Sequence, residues 1–273
     1  TMEWFLSPSQ VAKQVSALDH LMIVIACAIH DVGHPGRNNL FQSKTLSDLA
    51  VIYNDKSILE NMHVSKAFEL MKKDPDLDWV SLLPTAFVAA DQEQAVPVDL
   101  RQYMRRILID VVLATDMAKH NQHQQHLNSL VEVKKANGGS AVSLGSTEQL
   151  LESLMHAADI SNPCKPERIM LQWTSRVIAE FWAQGDEETR LHIEVSPMCD
   201  KAIAQNSVPK QQLGFINFVI QPYFNSIAEL IPEADQARSA ILENKSFWEQ
   251  KQQEQATASE LFGDLPWMRP LRP

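Results

Sequence analysis

Leu21-Met22-Ile23-Val24-Ile25-Ala26-Cys27-Ala28-Ile29-His30-Asp31-Val32-Gly33-His34-Pro35-Gly36 is the stretch on which the fold turns. Its apolar part is about half the roughly 20 residues that span a bilayer, so it reads as a buried helix. The apolar run ends directly on His30 and Asp31. An adjacent His-Asp pair at a helix end presents an imidazole nitrogen and a carboxylate oxygen to one point, and a carboxylate can bridge two cations. Pro35 and Gly36 turn the chain and hold His34 near the same point. A helix C-terminus whose histidines meet the last carbonyls has the same appearance.

Outward from this stretch the pattern stays helical. Apolar positions recur at three and four residues, and two-residue alternation is scarce. Helices are expected over residues 55–71, 99–118, 146–158 and 166–185, with another starting near Gln211. Pro84 and Pro97 flank an ambiguous stretch, Asn137-Gly138-Gly139-Ser140 marks an exposed loop, and residues 265–273, with Pro266, Pro270 and Pro273, read as extended. The expectation is an all-α, multi-helix domain over residues 1–250 and a loose C-terminal tail over 251–273.

Composition narrows the function. Hydrophobic residues make up 45% of the chain, enough for a large core. A net charge of −10 argues against a general nucleic-acid binder, which needs clustered Lys and Arg. It leaves room for a small phosphorylated ligand, because bound cations reverse a local field. Cys27, Cys164 and Cys199 are odd in number and show no Cys-x-x-Cys spacing, which points to a reducing, cytoplasmic setting. No segment reads as transmembrane, and no secretory signal precedes the first helix.

The second motif is His156-Ala157-Ala158-Asp159, followed by Ser161, Asn162 and Pro163. A carboxylate at a helix C-terminus is unfavourable unless a cation offsets the dipole. Alone it is an ordinary helix-ending turn; beside His30-Asp31 it is the remote carboxylate of a His/Asp metal cluster. Further blocks follow in order: Tyr53-Asn54-Asp55, Ile58-Leu59-Glu60-Asn61-Met62-His63, residues Leu113 to His120 (LATDMAKH), Gln172-Trp173-Thr174, residues Glu194 to Lys201 (EVSPMCDK) and Gln212-Leu213-Gly214-Phe215-Ile216. Over residues 21–250 this order resembles the catalytic domain of class I cyclic-nucleotide phosphodiesterases, an all-α fold of the HD superfamily.

The resemblance implies a two-metal hydrolysis of a 3′,5′-cyclic nucleotide to the 5′-monophosphate, with cyclic AMP favoured over cyclic GMP because Asn162 adds a polar group suited to adenine. It implies that His30, Asp31 and Asp159 ligate zinc and that Asp31 bridges to magnesium or manganese. His34, Glu60 and Thr115 are expected to hold the surrounding water, and a hydroxide between the cations is expected to attack phosphorus in line. Glu180 resembles the carboxylate that orients the general-acid imidazole. Gln212 and Phe215 are expected to bind and stack the base, with Asn162 as a further polar contact and Met198 at the rim.

Read without the resemblance, Glu60 and His63 are a polar surface pair, and His120, His123 and His126 are a solvated helix face. Met170, Trp173, Thr174, Val177 and Phe181 form a core stripe whose ends are candidates for the purine pocket.

Gly33 stands where the family usually carries an acidic residue, Met62 where a second His is common, and Met170 where a pocket aromatic is common. The family's Tyr-His-Asn-x-x-His-Ala-x-Asp-Val block, which supplies the general acid and one zinc ligand, has no counterpart here. His20 is a poor substitute, and the chain reads as an N-terminally truncated, impaired catalytic domain with room for regulatory domains elsewhere. Two alternatives stay open at this point: a different HD-superfamily phosphohydrolase, and a nucleotide-binding pseudoenzyme.

Overall fold

The computed structural model describes residues 1–77, 100–138 and 143–263, and among these there is helix and turn but no strand. They form two packing units, residues 1–34 with 51–159 and residues 35–50 with 160–273.

In the first unit the Leu100–Leu113 helix is the centre of packing, against Ala17–Ile29, Ile58–Lys73 and Thr147–Asp159. The reason is its stripe: Met104, Ile107, Leu108, Val111 and Val112 recur at three- and four-residue spacing and are all buried. Met22, Ile23 and Ala26 of the Ala17–Ile29 helix fill the same core. That helix starts on a capping box, in which Ser16 accepts from the Asp19 N–H and the Asp19 carboxylate accepts from the Ser16 N–H. It stops at His30, where Gly33, at φ 73°, turns the chain. The Val24 side of the helix stays exposed, so the apolar run is buried on one face only.

The second unit is organised by the Glu167–Arg190 helix, longer at its C-terminus than the 166–185 expectation, and by the Asp235–Gln253 helix. The buried positions of Glu167–Arg190 include Met170, Thr174, Ile178 and Trp182, whereas Trp173 and Val177 are exposed, so the expected core stripe is split between core and surface. Gly185 is needed where it stands: a Cβ there would lie 2.0 Å from the Cys199 carbonyl oxygen. The helix expected near Gln211 begins at Val208 and runs through a π-helical turn, Ile216–Ile220, into Gln221–Leu230. The boundary expected at residue 250 falls inside Asp235–Gln253, and a further helix, Ala258–Phe262, buries Phe262. The tail expectation is therefore corrected for residues 251–263. Residues 84–97 and 265–273, and Gly139 and Ser140 of the expected loop, lie outside the described residues.

No helix among the described residues is long and apolar enough to cross a membrane. Cys27, Cys164 and Cys199 are free thiols.

Candidate functional site

His30, Asp31 and Asp159 meet in the first unit. His30 Nε2 lies 3.4 Å from Asp31 Oδ2 and 3.3 Å from Asp159 Oδ1, and one ligand atom from each lies within 4.8 Å of the other two. Helix ends bring them together: His30 caps Ala17–Ile29 and Asp159 closes Thr147–Asp159. His30 Nδ1 lies 2.9 Å from the Cys27 carbonyl, which can only accept, so Nδ1 carries the hydrogen and Nε2 faces the carboxylates. Burial opposes charge on this ring, but the Asp159 hydrogen bond and the Asp159 and Asp31 charges outweigh it and raise its pKa to about 9. A proton thus sits where the donor set, one imidazole and two carboxylates, suits a divalent cation.

His63 belongs to the same place, against the reading of a polar surface pair. It is 2% exposed, its Nδ1 donates to the Val32 carbonyl at 2.9 Å, and its Nε2 lies 3.7 Å from Asp31 Oδ1. Burial lowers its pKa against the opposing pull of Val32 and Asp31. A neutral His63 therefore presents a lone pair towards a carboxylate oxygen. Two acceptors face each other, an arrangement that a cation or a donor between them would satisfy. The residues present fit the expected metals on this chemistry. The signal for His63 was in the sequence: Leu59, His63 and Ala67, at four-residue spacing, form one buried stripe.

Three further expected residues belong to the same unit. The His34 ring is exposed and stacks on His63 with centroids 5.6 Å apart. Glu60 stands one turn before His63 in the first turn of Ile58–Lys73. Thr115 is buried, and its hydroxyl donates to the Val112 carbonyl at 2.8 Å, which leaves its oxygen lone pairs as acceptors.

The expected solvated face of His120, His123 and His126 is corrected for the first two, while His126 is half-buried. His120 and His123 are buried, on a stripe continued by Leu127 and Val131, and they surround the fully buried His156. His120 Nδ1 lies 3.0 Å from His156 Nε2, and the His123 ring stacks on His156 at 5.3 Å. Burial lowers the pKa of all three, with His156, which also faces the other two rings, pushed down to about 3.

The remaining expected residues lie in the second unit. Gln212 and Phe215 sit three apart on Val208–Phe215, half-buried, just before the π-helical turn. Such turns often occur at functional sites. Met198 is half exposed at φ 66°. The Asn162 amide nitrogen donates to Thr174 Oγ1 at 3.1 Å and to the Met170 carbonyl at 3.4 Å. The carbonyl can only accept, so this fixes which end of the amide is which and leaves Oδ1 buried with no partner. Met170 is corrected from pocket edge to core: its sulfur accepts the Trp248 indole N–H at 3.2 Å. Glu180 is exposed and lies against Gly36.

The sequence of residues 1–241 matches the family described as 3'5'-cyclic nucleotide phosphodiesterase. Among relatives, a 3',5'-cyclic-AMP phosphodiesterase 4C of Rattus norvegicus is 38% identical over 238 residues, 86% of this chain and 41% of that one. The probable 3',5'-cyclic-AMP phosphodiesterase pde-4 of Caenorhabditis elegans is 36% identical over 255 residues, 92% of this chain and 36% of that one. The chain thus spans about two fifths or less of the length of these relatives. The crystal structure of the phosphodiesterase domain of the RhoPDE fusion protein from the choanoflagellate Salpingoeca rosetta is similar at a TM-score of 0.76 and 27% identity, over 89% of this chain and 72% of that one. With a family match over nearly its whole length and a matching solved fold, this chain belongs to the 3'5'-cyclic nucleotide phosphodiesterase family.

Proposed function

We propose that the chain carries the metal-binding and base-binding machinery for hydrolysis of a 3′,5′-cyclic nucleotide to its 5′-monophosphate, with cyclic AMP preferred. The observation that supports this most directly is the convergence of His30, Asp31 and Asp159, with the His63 lone pair turned towards Asp31. His30, Asp31 and Asp159 would hold zinc, and Asp31 would be the carboxylate offered also to magnesium or manganese. Bound there, two cations supply Lewis-acid polarisation of the phosphate and a nucleophile of lowered pKa. Thr115, with its hydroxyl hydrogen committed to Val112, and neutral His63 orient solvent hydrogens towards themselves as acceptors. His34 and Glu60 complete the polar lining.

Base recognition falls to the second unit. The Gln212 amide offers one donor and one acceptor to a purine edge, and Phe215, on the same helix face, offers a ring to stack on the base. Asn162, whose amide nitrogen is held by Thr174 and the Met170 carbonyl, adds a polar group suited to adenine.

The test has two readouts. Calorimetric titration with zinc is expected to show one site in the native chain and at least tenfold weaker binding in Asp159→Ala. Chromatography of products from cyclic AMP with magnesium or manganese is expected to show 5′-AMP from the native chain, formed about 10²–10⁴-fold more slowly for want of the general acid, and none from Asp31→Asn. Equal zinc affinity in the native and Asp159→Ala chains would overturn the metal assignment. Undiminished 5′-AMP formation by Asp31→Asn would overturn the role of Asp31.

A further inference from the structure

The residues of the proposed metal site come from four separate stretches of the first unit. His30 and Asp31 follow Ala17–Ile29, Glu60 and His63 open Ile58–Lys73, Thr115 follows Leu100–Leu113, and Asp159 closes Thr147–Asp159. Helix ends fray, yet groups that share cations must hold their geometry to about half an ångström. Something has to tie these ends together.

Two buried side chains of the 114–120 segment, neither in the proposed ligand set, reach from it to different helices. Asp116 accepts the Ala118 N–H through Oδ1 at 2.9 Å, which fixes its own turn, and the Ser57 hydroxyl through Oδ2 at 2.7 Å. Ser57 is the N-cap of the helix that carries Glu60 and His63, and it stands in the left-handed region at φ 43°, ψ 52°. Asn54 and Asp55 are also left-handed, at φ 53° and 58°. Non-glycine residues hold such a backbone only where their surroundings fix it. The Asn61 amide secures the turn locally through the Lys56 and Ser57 carbonyls at 2.9 and 3.0 Å. Asp116 ties this turn to another part of the chain.

His120 makes the second tie. Its Nδ1 meets Nε2 of His156 at 3.0 Å, and His156 lies one turn before Asp159 on the same helix. His123 stacks on the His156 ring and holds its plane. The short segment that carries Thr115 is thus bonded to the start of the His63 helix on one side and to the end of the Asp159 helix on the other.

We propose that Asp116 and His120 are positioning residues of the metal site. Asp116 sets the Glu60–His63 turn, and His120 sets the Asp159 end, relative to Thr115. The proposal rests on the metal assignment above and deepens it. Its content is geometric: removing either tie loosens cation binding without touching a ligand.

The test is Mn²⁺ binding by the whole chain, read from the loss of the free-ion electron paramagnetic resonance signal, alongside melting temperature. Asp31→Ala defines the site and is expected to abolish binding. Ser57→Gly removes the hydroxyl that Asp116 holds, while glycine sits easily at φ 43°. It is expected to weaken Mn²⁺ about tenfold with little change in melting temperature, a split that a purely stabilising role of Asp116 would not give. His120→Leu is expected to weaken Mn²⁺ about tenfold. His120→Asn, whose amide nitrogen stands where Nδ1 stood, is expected to restore most of it. Native affinity in Ser57→Gly would overturn the role of Asp116. For His120, the contrast with His120→Asn decides: equal affinity in the native chain, His120→Leu and His120→Asn, or equal loss in both variants, would overturn it. Should His120→Leu fail to fold, His120→Gln, whose nitrogen lies beyond the Nδ1 position, takes its place in that contrast. A native chain with no Asp31-dependent Mn²⁺ binding would overturn the metal assignment and this proposal together.

Discussion

Acidification from pH 7 to pH 5 should destabilise this chain through one side chain above all, His156. Its ring is out of contact with solvent and packed against His120 and His123. Burial first, and the two neighbouring imidazoles second, push its pKa from 6.5 down to about 3. The folded value lies below the unfolded one, so as the pH falls the unfolded chain takes up this proton first. The stability tied to the neutral ring is complete above pH 6.5 and is lost as the pH falls towards 3. At pH 5 the unfolded imidazole is almost fully protonated and the folded one is not, which costs about 2 kcal/mol relative to pH 7. His30 works in the opposite sense. With its folded pKa near 9, its contribution is full below pH 6.5 and lost as the pH rises through 9. Over the pH 7 to 5 window it returns about 1 kcal/mol. The assay is therefore urea unfolding at both pH values for the native chain and for His156→Gln, whose side-chain carbonyl can still accept from His120. His30 and the carboxylates cancel in the double difference. The native chain should lose about 2 kcal/mol more than the variant on going to pH 5. Equal losses would refute the neutral, buried His156.

Two further outcomes follow from close packing and from the residues proposed to face the purine. Gly185→Ala should cost about 3 kcal/mol in urea unfolding or prevent folding, because the new methyl group meets the Cys199 backbone rather than a side chain that can turn away. Gln212→Ala should weaken 5′-AMP binding by about 1–3 kcal/mol in calorimetric titration, while the Mn²⁺ affinity of the same protein stays at the native value.

Most of the fold was legible because its helices carry their apolar stripes openly. Met104, Ile107, Leu108, Val111 and Val112 announce both the helix and the face it buries. The meeting of His30, Asp31 and Asp159 was expected from the two motifs taken together with the family resemblance, since each motif alone reads as an ordinary helix end. The errors share one physical cause. Read without the resemblance, His63, His120 and His123 fall on the surface because polar residues surround them in sequence, although each lies on a three- or four-residue stripe with buried apolar neighbours. An imidazole bonded to the Val32 carbonyl or to another histidine, or stacked on one, packs like an aromatic core residue. Such partners are remote in sequence, so composition along a helix misleads while periodicity does not.

Gly33 carries the same lesson to the site itself. Against the family pattern it looked like the loss of an acidic side chain between His30 and His34. In the structure its φ of 73° is the conformation that glycine adopts without strain, and the space a Cβ would need is taken by the Lys66 side chain, with Nζ 2.5 Å from that point. Lys66 lies three residues beyond His63 on the same helix, so the cation that covers Gly33 comes from the element that also faces Asp31. The departure is thus a paired one. A carboxylate is missing from the turn, and a lysine ammonium lies where a side chain there would begin, which no reading of residues 30–34 alone could supply.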